Sequence, residues 1–117
     1  MKNESFNGAY IWGLKPEDRT ILGDIVKRHG YHPLSYFPDK DEMDSNDLII
    51  VCPGVSSAKK LEGELMYIRR RVGNEPRIMF LADSNMLEGR IMWLYDIPVV
   101  PLRTSIIDKA IETYFKK

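Results

Sequence analysis

Along the whole chain, short strand-like apolar runs alternate with stretches whose apolar residues recur at the helical period, and this alternation limits the possible folds more than any other feature. Residues 8–12 (GAYIW) read as a strand. Pro16, Glu17 and Asp18 then open a helix, because proline tolerates the first turn and carboxylates favour the positive end of a helix dipole. Ile21, Leu22, Ile25 and Val26 form its apolar stripe, and Gly30 after His29 suits a left-handed stop. A second strand over 31–37 contains Pro33. Residues 47–52 (DLIIVC) form a continuous apolar run, as in a strand covered on both faces. After Pro53-Gly54 comes a long helix with Ala58, Leu61, Leu65, Ile68 and Val72 on one side. A strand over 77–82 (RIMFLA), a short helix over 86–95, a strand over 97–102 and a helix over 106–115, with Ile106, Ile107, Ala110, Ile111 and Tyr114 on its apolar arc, complete the pattern.

Such alternation predicts an α/β fold with helices on both faces of a parallel sheet. The prolines suggest the strand order. Proline cannot donate to a sheet ladder and is confined to edges, strand starts and bulges. Pro33 falls in the second strand, and Pro98 and Pro101 fall in the fifth. An order of 2-1-3-4-5 puts both at edges, so the expected architecture is a flavodoxin-like three-layer sandwich with five parallel strands. Only residues 38–46 separate the second and third strands, which leaves the second helix shortened or missing. The expectation is a single domain over 1–117, with 1–7 as a flexible tail.

Composition narrows the function classes. Lys and Arg number 17 against 17 Asp and Glu, so no net charge steers the chain toward a nucleic acid. The apolar runs are far shorter than a membrane span. The first residues lack the apolar core of a secretion signal, and a lone cysteine agrees with a reducing compartment, so a cytoplasmic location is expected.

The residues 16–19 (PEDR), 29–31 (HGY), 47–50 (DLII), 77–82 (RIMFLA) and 94–102 (LYDIPVVPL) resemble the receiver domains of bacterial two-component response regulators, over essentially the whole chain. The resemblance implies an acidic pair that holds a divalent cation, an aspartate that accepts a phosphoryl group, a Ser or Thr, and a Lys, all at the carboxyl ends of the strands. Here the acidic-pair positions fall on Gly13 and Leu14. The acceptor position falls on Cys52, the hydroxyl position on Leu81 and the lysine position on Val100. The chain therefore reads as a pseudo-receiver with no catalytic residue, metal or cofactor.

Other residues are of types that can carry chemistry. Cys52, at a strand end before Pro53-Gly54, could be a thiolate nucleophile activated by a helix N-terminus. The Arg that a tyrosine-phosphatase loop needs six residues on is Ala58, which favours a small buried hydrophobe instead. His29 and His32 lack further partners for zinc, and a helix-end histidine favoured by the dipole is the better reading. The acidic stretch Asp39, Asp41, Glu42, Asp44 and Asp47 lacks the glycine and glutamate of a calcium loop and reads as a solvated connection. Arg69, Arg70 and Arg71 splay around a helix and read as solubility.

Surplus apolar surface is the sharper signal. If 86–95 is a helix, Leu87, Ile91 and Leu94 suffice for its buried stripe. Met92, Trp93 and Tyr95 then lie outside it, and Phe115 edges off the last helix's core arc. Such a cluster is what a partner site looks like. The sequence thus predicts a non-enzymatic signalling domain acting by protein–protein interaction or homodimer formation. The surface would be the face of the fourth helix, fifth strand and fifth helix. The alternatives are a Cys52 phosphoryl or thiol enzyme and a small-ligand sensor at the strand-end crevice.

Overall fold

A computed structural model describes residues 7–36, 43–54, 57–83, 85 and 87–115. Among these the elements run β1 (Asn7–Trp12), α1 (Pro16–Arg28), β2 (Tyr31–Leu34), β3 (Leu48–Val51), α2 (Ala58–Val72), β4 (Arg77–Ala82), β5 (Met92–Leu94), β6 (Ile97–Pro101) and α3 (Thr104–Tyr114). They form one six-stranded sheet in the order β2-β1-β3-β4-β6-β5. Neighbours pair in parallel except β5 and β6, which are antiparallel.

This corrects the expected five-stranded, all-parallel flavodoxin-like sheet of order 2-1-3-4-5. The stretch read as a helix over 86–95 instead turns through 87–90 and enters strand β5, which folds back on β6 through Tyr95-Asp96. Glu88 (φ 52°) and Gly89 (φ 71°) are both left-handed, so a right-handed helix cannot pass through them. Met86, the N-terminal residues 1–6 and most of the connection expected between β2 and β3 lie outside the described residues.

The proline argument also needs revision. Pro33 is on an edge strand as expected, but β6, with Pro98 and Pro101, lies between β4 and β5. Both prolines are tolerated because neither interrupts a ladder. The Leu102 amide donates to the Ala82 carbonyl (2.9 Å), so the even-numbered residues of β6 face β4 and the odd-numbered ones face β5. Pro98 faces β4 just before their pairing begins at Val99, and Pro101 faces past the end of β5, whose pairing stops at Val99.

Helices cover both faces of the sheet. On one, Leu22, Ile25 and Val26 of α1 and Ile107, Ala110 and Ile111 of α3 pack over Ala9, Ile11, Leu48, Ile50, Met79 and Leu81. On the other, Leu61, Ile68 and Val72 of α2 cover Ile49, Val51, Ile78, Phe80 and Val99. β3 feeds both clusters, which is why its sequence is apolar without alternation. Ile21, assigned to the α1 stripe, is instead 46% exposed, and Leu22 takes the inward position.

At the amino ends of the strands, Asp47 is fully buried, contrary to its reading as part of a solvated connection. One carboxylate oxygen accepts the Gly8 amide (2.8 Å) and the other the Asp44 amide (3.0 Å), tying β1 to the approach to β3. Nearby, Arg77 Nη2 donates to the Tyr31 hydroxyl (2.5 Å), which donates to the Phe115 carbonyl (2.8 Å). The guanidinium also lies 5.6 Å from the Phe115 ring centroid, within cation–π range. Phe115 is only 4% exposed, so it is a core residue and not part of a partner surface. It sits just past the end of α3, where the helical arc no longer dictates direction.

Two of the other polar candidates, His29 and Arg69, serve helix ends. His29 Nε2 meets Asp108 Oδ1 at 2.6 Å, joining the end of α1 to α3. Arg69 donates to the Gly73 (3.2 Å) and Pro76 (2.7 Å) carbonyls beyond α2, satisfying backbone acceptors there. Burial lowers its pKa and the field of Asp96 opposes that shift. Among the described residues no helix is long and apolar enough to cross a membrane.

Candidate functional site

Open α/β sheets bind ligands outside the carboxyl ends of their strands. In this chain that end begins with Gly13, directly after β1. Its φ is 88°, and a Cβ there would collide with the Cys52 backbone carbonyl. The Cys52 amide donates to the Trp12 carbonyl at 3.0 Å, carrying the contact between β1 and β3 one residue past their strands. The backbone geometry thus favours glycine at a position where the receiver resemblance would call for a carboxylate.

Leu14 and Leu81, with Leu22, Ile25 and Ile107, line a cavity of about 70 Å³ that Asp18 and Thr104 also border. Small-molecule sites usually enclose roughly 300–1,000 Å³, so this one is too small for a nucleotide. Val100 is buried within β6 in the same core cluster. Cys52 is half-buried against that cluster. Burial pushes its thiol pKa up and the charge of Asp18 adds to this, while a hydrogen bond from the Gly54 backbone opposes it. The net direction works against a thiolate at neutral pH. Among the described residues, no three His, Cys, Asp or Glu side chains converge as a metal site would need.

The surface expected to meet a partner is organised differently from the expectation. Met92, Trp93 and Tyr95 belong to a β-hairpin and not to a helix. Residues on a strand point alternately to opposite faces. Met92 and Leu94 accordingly pack toward the α2 side, while Trp93 turns to the α3 side. There its ring meets Tyr114 edge-to-face, with centroids 4.9 Å apart at 87°. An edge-to-face pair adds about 0.5–1.5 kcal/mol beyond buried area. Trp93 nonetheless stays 48% exposed. Tyr114, placed on the core arc by its spacing, is an exposed residue of this surface. Beside it runs an open groove of about 610 Å³, lined by Ile91 on one side and Ile106, Ala110, Thr113 and Tyr114 of α3 on the other.

Tyr95 is the most unusual residue of the hairpin. It occupies the first position of a two-residue turn at φ 58° and is 74% exposed. Glycine or asparagine is the residue such turns prefer, and a left-handed conformation costs other residues roughly 1–2 kcal/mol. Neither turn geometry nor the core asks for a tyrosine there. The cluster was legible from surplus apolar residues, whereas Tyr114 and the groove became visible only once β5 and α3 were placed side by side.

Compared with protein-family models, curated proteins and solved structures, the chain matches none.

Proposed function

We propose that the chain is a non-catalytic, receiver-like signalling domain that acts by protein–protein contact through the β5–β6 hairpin and α3. The observation that carries this reading is Tyr95, an aromatic side chain kept exposed on a left-handed turn two residues from Trp93, whose ring meets Tyr114 at an apolar groove. Backbone strain held at an exposed site points to use of that site. The carboxyl end of the sheet supports the same reading from the other side. A glycine with no room for a Cβ, two leucines, a buried valine and a half-buried thiol occupy the positions of the receiver chemistry.

Two measurements test it. Incubation with acetyl phosphate and magnesium leaves the intact mass unchanged, and a stable added phosphate overturns the non-catalytic reading. Trp93→Ala, with its fold verified by circular dichroism, loses association in light scattering across a concentration series. Full association in that variant overturns the choice of surface. Burying an aromatic of this size contributes on the order of 1.5–3 kcal/mol, so the loss is at least about tenfold.

A further inference from the structure

We propose that the occupant of this surface is a second copy of the chain, joined by antiparallel pairing of β5 with the β5 of its partner about a two-fold axis at Trp93. This rests on the reading of the hairpin and α3 as the interaction surface.

The hydrogen-bond directions of the hairpin leave one side of β5 open. Leu94 pairs with Ile97 and Met92 with Val99, and the odd-numbered residues of β6 face β5. Met92 and Leu94 therefore spend their backbone groups on β6. Backbone groups alternate in direction along a strand, so the N–H and C=O of Trp93 face the open edge, as do those of Ile91. β5 ends the sheet, and its three residues contain neither proline nor charge. The opposite edge, β2, carries Pro33. A short edge without proline or charge can still template another strand.

The sequence around that edge is complementary to itself. Placing Trp93 against its symmetry mate in an antiparallel pair sets Met92 against Leu94 of the other copy and, beyond these strand residues, brings Ile91 toward Tyr95 and Arg90 toward Asp96 at the partner's hairpin turn. All the apolar residues then face apolar residues, and each cation faces an anion, twice by symmetry. The outward backbone groups of Trp93 are the ones that this register pairs across the axis. Arg90 is a largely exposed side chain whose carboxylate contact, Glu88, is 3.7 Å away, so it is available for the exchange. Asp96 lies in the turn, in the field of Arg69.

The groove gains an occupant in the same register. Ile91 and Trp93, two residues apart, share one face, and Ile91 forms a wall of the groove beside α3, while Tyr95 stands at the turn just beyond β5. Tyr95 of the partner, opposite Ile91, is delivered to the mouth of that groove. This gives the exposed tyrosine on its left-handed turn a place to be buried.

Charge reversal with rescue is the test, read by sedimentation equilibrium. Wild type passes from monomer to dimer mass as concentration rises. Arg90→Asp and Asp96→Arg each weaken the dimer about tenfold, since each sets like charges together at two symmetric places. The double variant Arg90→Asp with Asp96→Arg recovers to within about threefold of wild type, a recovery that loss of folding would not produce. A wild type that stays monomeric into the millimolar range overturns the pairing, while the acetyl phosphate result judges the non-catalytic reading separately. A dimer indifferent to both single reversals, or one that the double variant fails to restore, overturns the register. If such a dimer also survives Trp93→Ala, the hairpin surface falls with it.

Discussion

The two ends of the sheet use polarity in opposite ways. At the amino ends of the strands, a fully buried carboxylate accepts backbone amides of β1 and the approach to β3, and a guanidinium donates to a phenol hydroxyl that donates to the end of α3. At the carboxyl ends, where ligands of open α/β sheets reside, the corresponding places hold glycine, leucine, valine and a half-buried cysteine around a cavity of about 70 Å³. A buried charge is tolerable only when its hydrogen bonds are met, and Asp47 has two backbone amides to meet them. The contrast teaches that the buried charge of this chain serves the scaffold, while the end expected to do chemistry is packed. The exposed aromatic surface lies on neither end but along the β5 side.

The comparison can be broken most strongly at Asp47. Asp47→Ala leaves the Gly8 and Asp44 amides without their carboxylate, and chemical denaturation should show a loss of about 3 kcal/mol. A loss below about 1 kcal/mol would remove the distinction between the two ends. Gly13→Ala probes the other end: the left-handed φ and the approach of the Cys52 carbonyl together predict destabilisation of about 2 kcal/mol, read from the same denaturation midpoint.

The smallest effect sharpens the amino-end picture through pH. Burial raises the Tyr31 pKa above its ordinary 10.0, while the charge and hydrogen bond of Arg77 act in the opposite direction. In the unfolded chain the phenol ionises near its ordinary value, so above about pH 10 the folded state holds more protons than the unfolded state. Stability from this group is complete below that pH and declines as pH rises toward the folded pKa. Tyr31→Phe should cost about 1 kcal/mol at neutral pH and make the alkaline decline shallower, as followed by thermal melts between pH 8 and 11. An unchanged alkaline slope would show that Tyr31 does not carry the effect.

Much of the scaffold was legible because periodicity reports burial. β4 is the run 77–82, β1 and β3 differ from their expected runs by terminal residues, α1 opens at Pro16, and α2 runs over the stretch that carries Ala58, Leu61, Leu65, Ile68 and Val72. The 86–95 stretch was misread because Leu87, Ile91 and Leu94 fit a helical spacing, and a three-residue strand offers too little alternation to compete. Gly89 and the two residues Tyr95-Asp96 between apolar runs were the available hairpin signals. Tyr114 and Phe115 exchanged roles because the helix ends between them. Asp47 looked like its acidic neighbours, and only the amides folded around it mark it as buried.

By itself, then, the sequence determined which segments are strands or helices where the apolar pattern and the turn residues around it agreed, as in β1, β3, β4, α1, α2 and α3. It also determined which side chains stand at the strand ends, because local spacing sets both. Tertiary structure alone decided that β5 joins β6 as an antiparallel edge, that Asp47 is enclosed and that Trp93 meets Tyr114 beside a groove. Those outcomes depend on partners distant in the chain or on turns only a few residues long, and a periodic pattern carries no information about either.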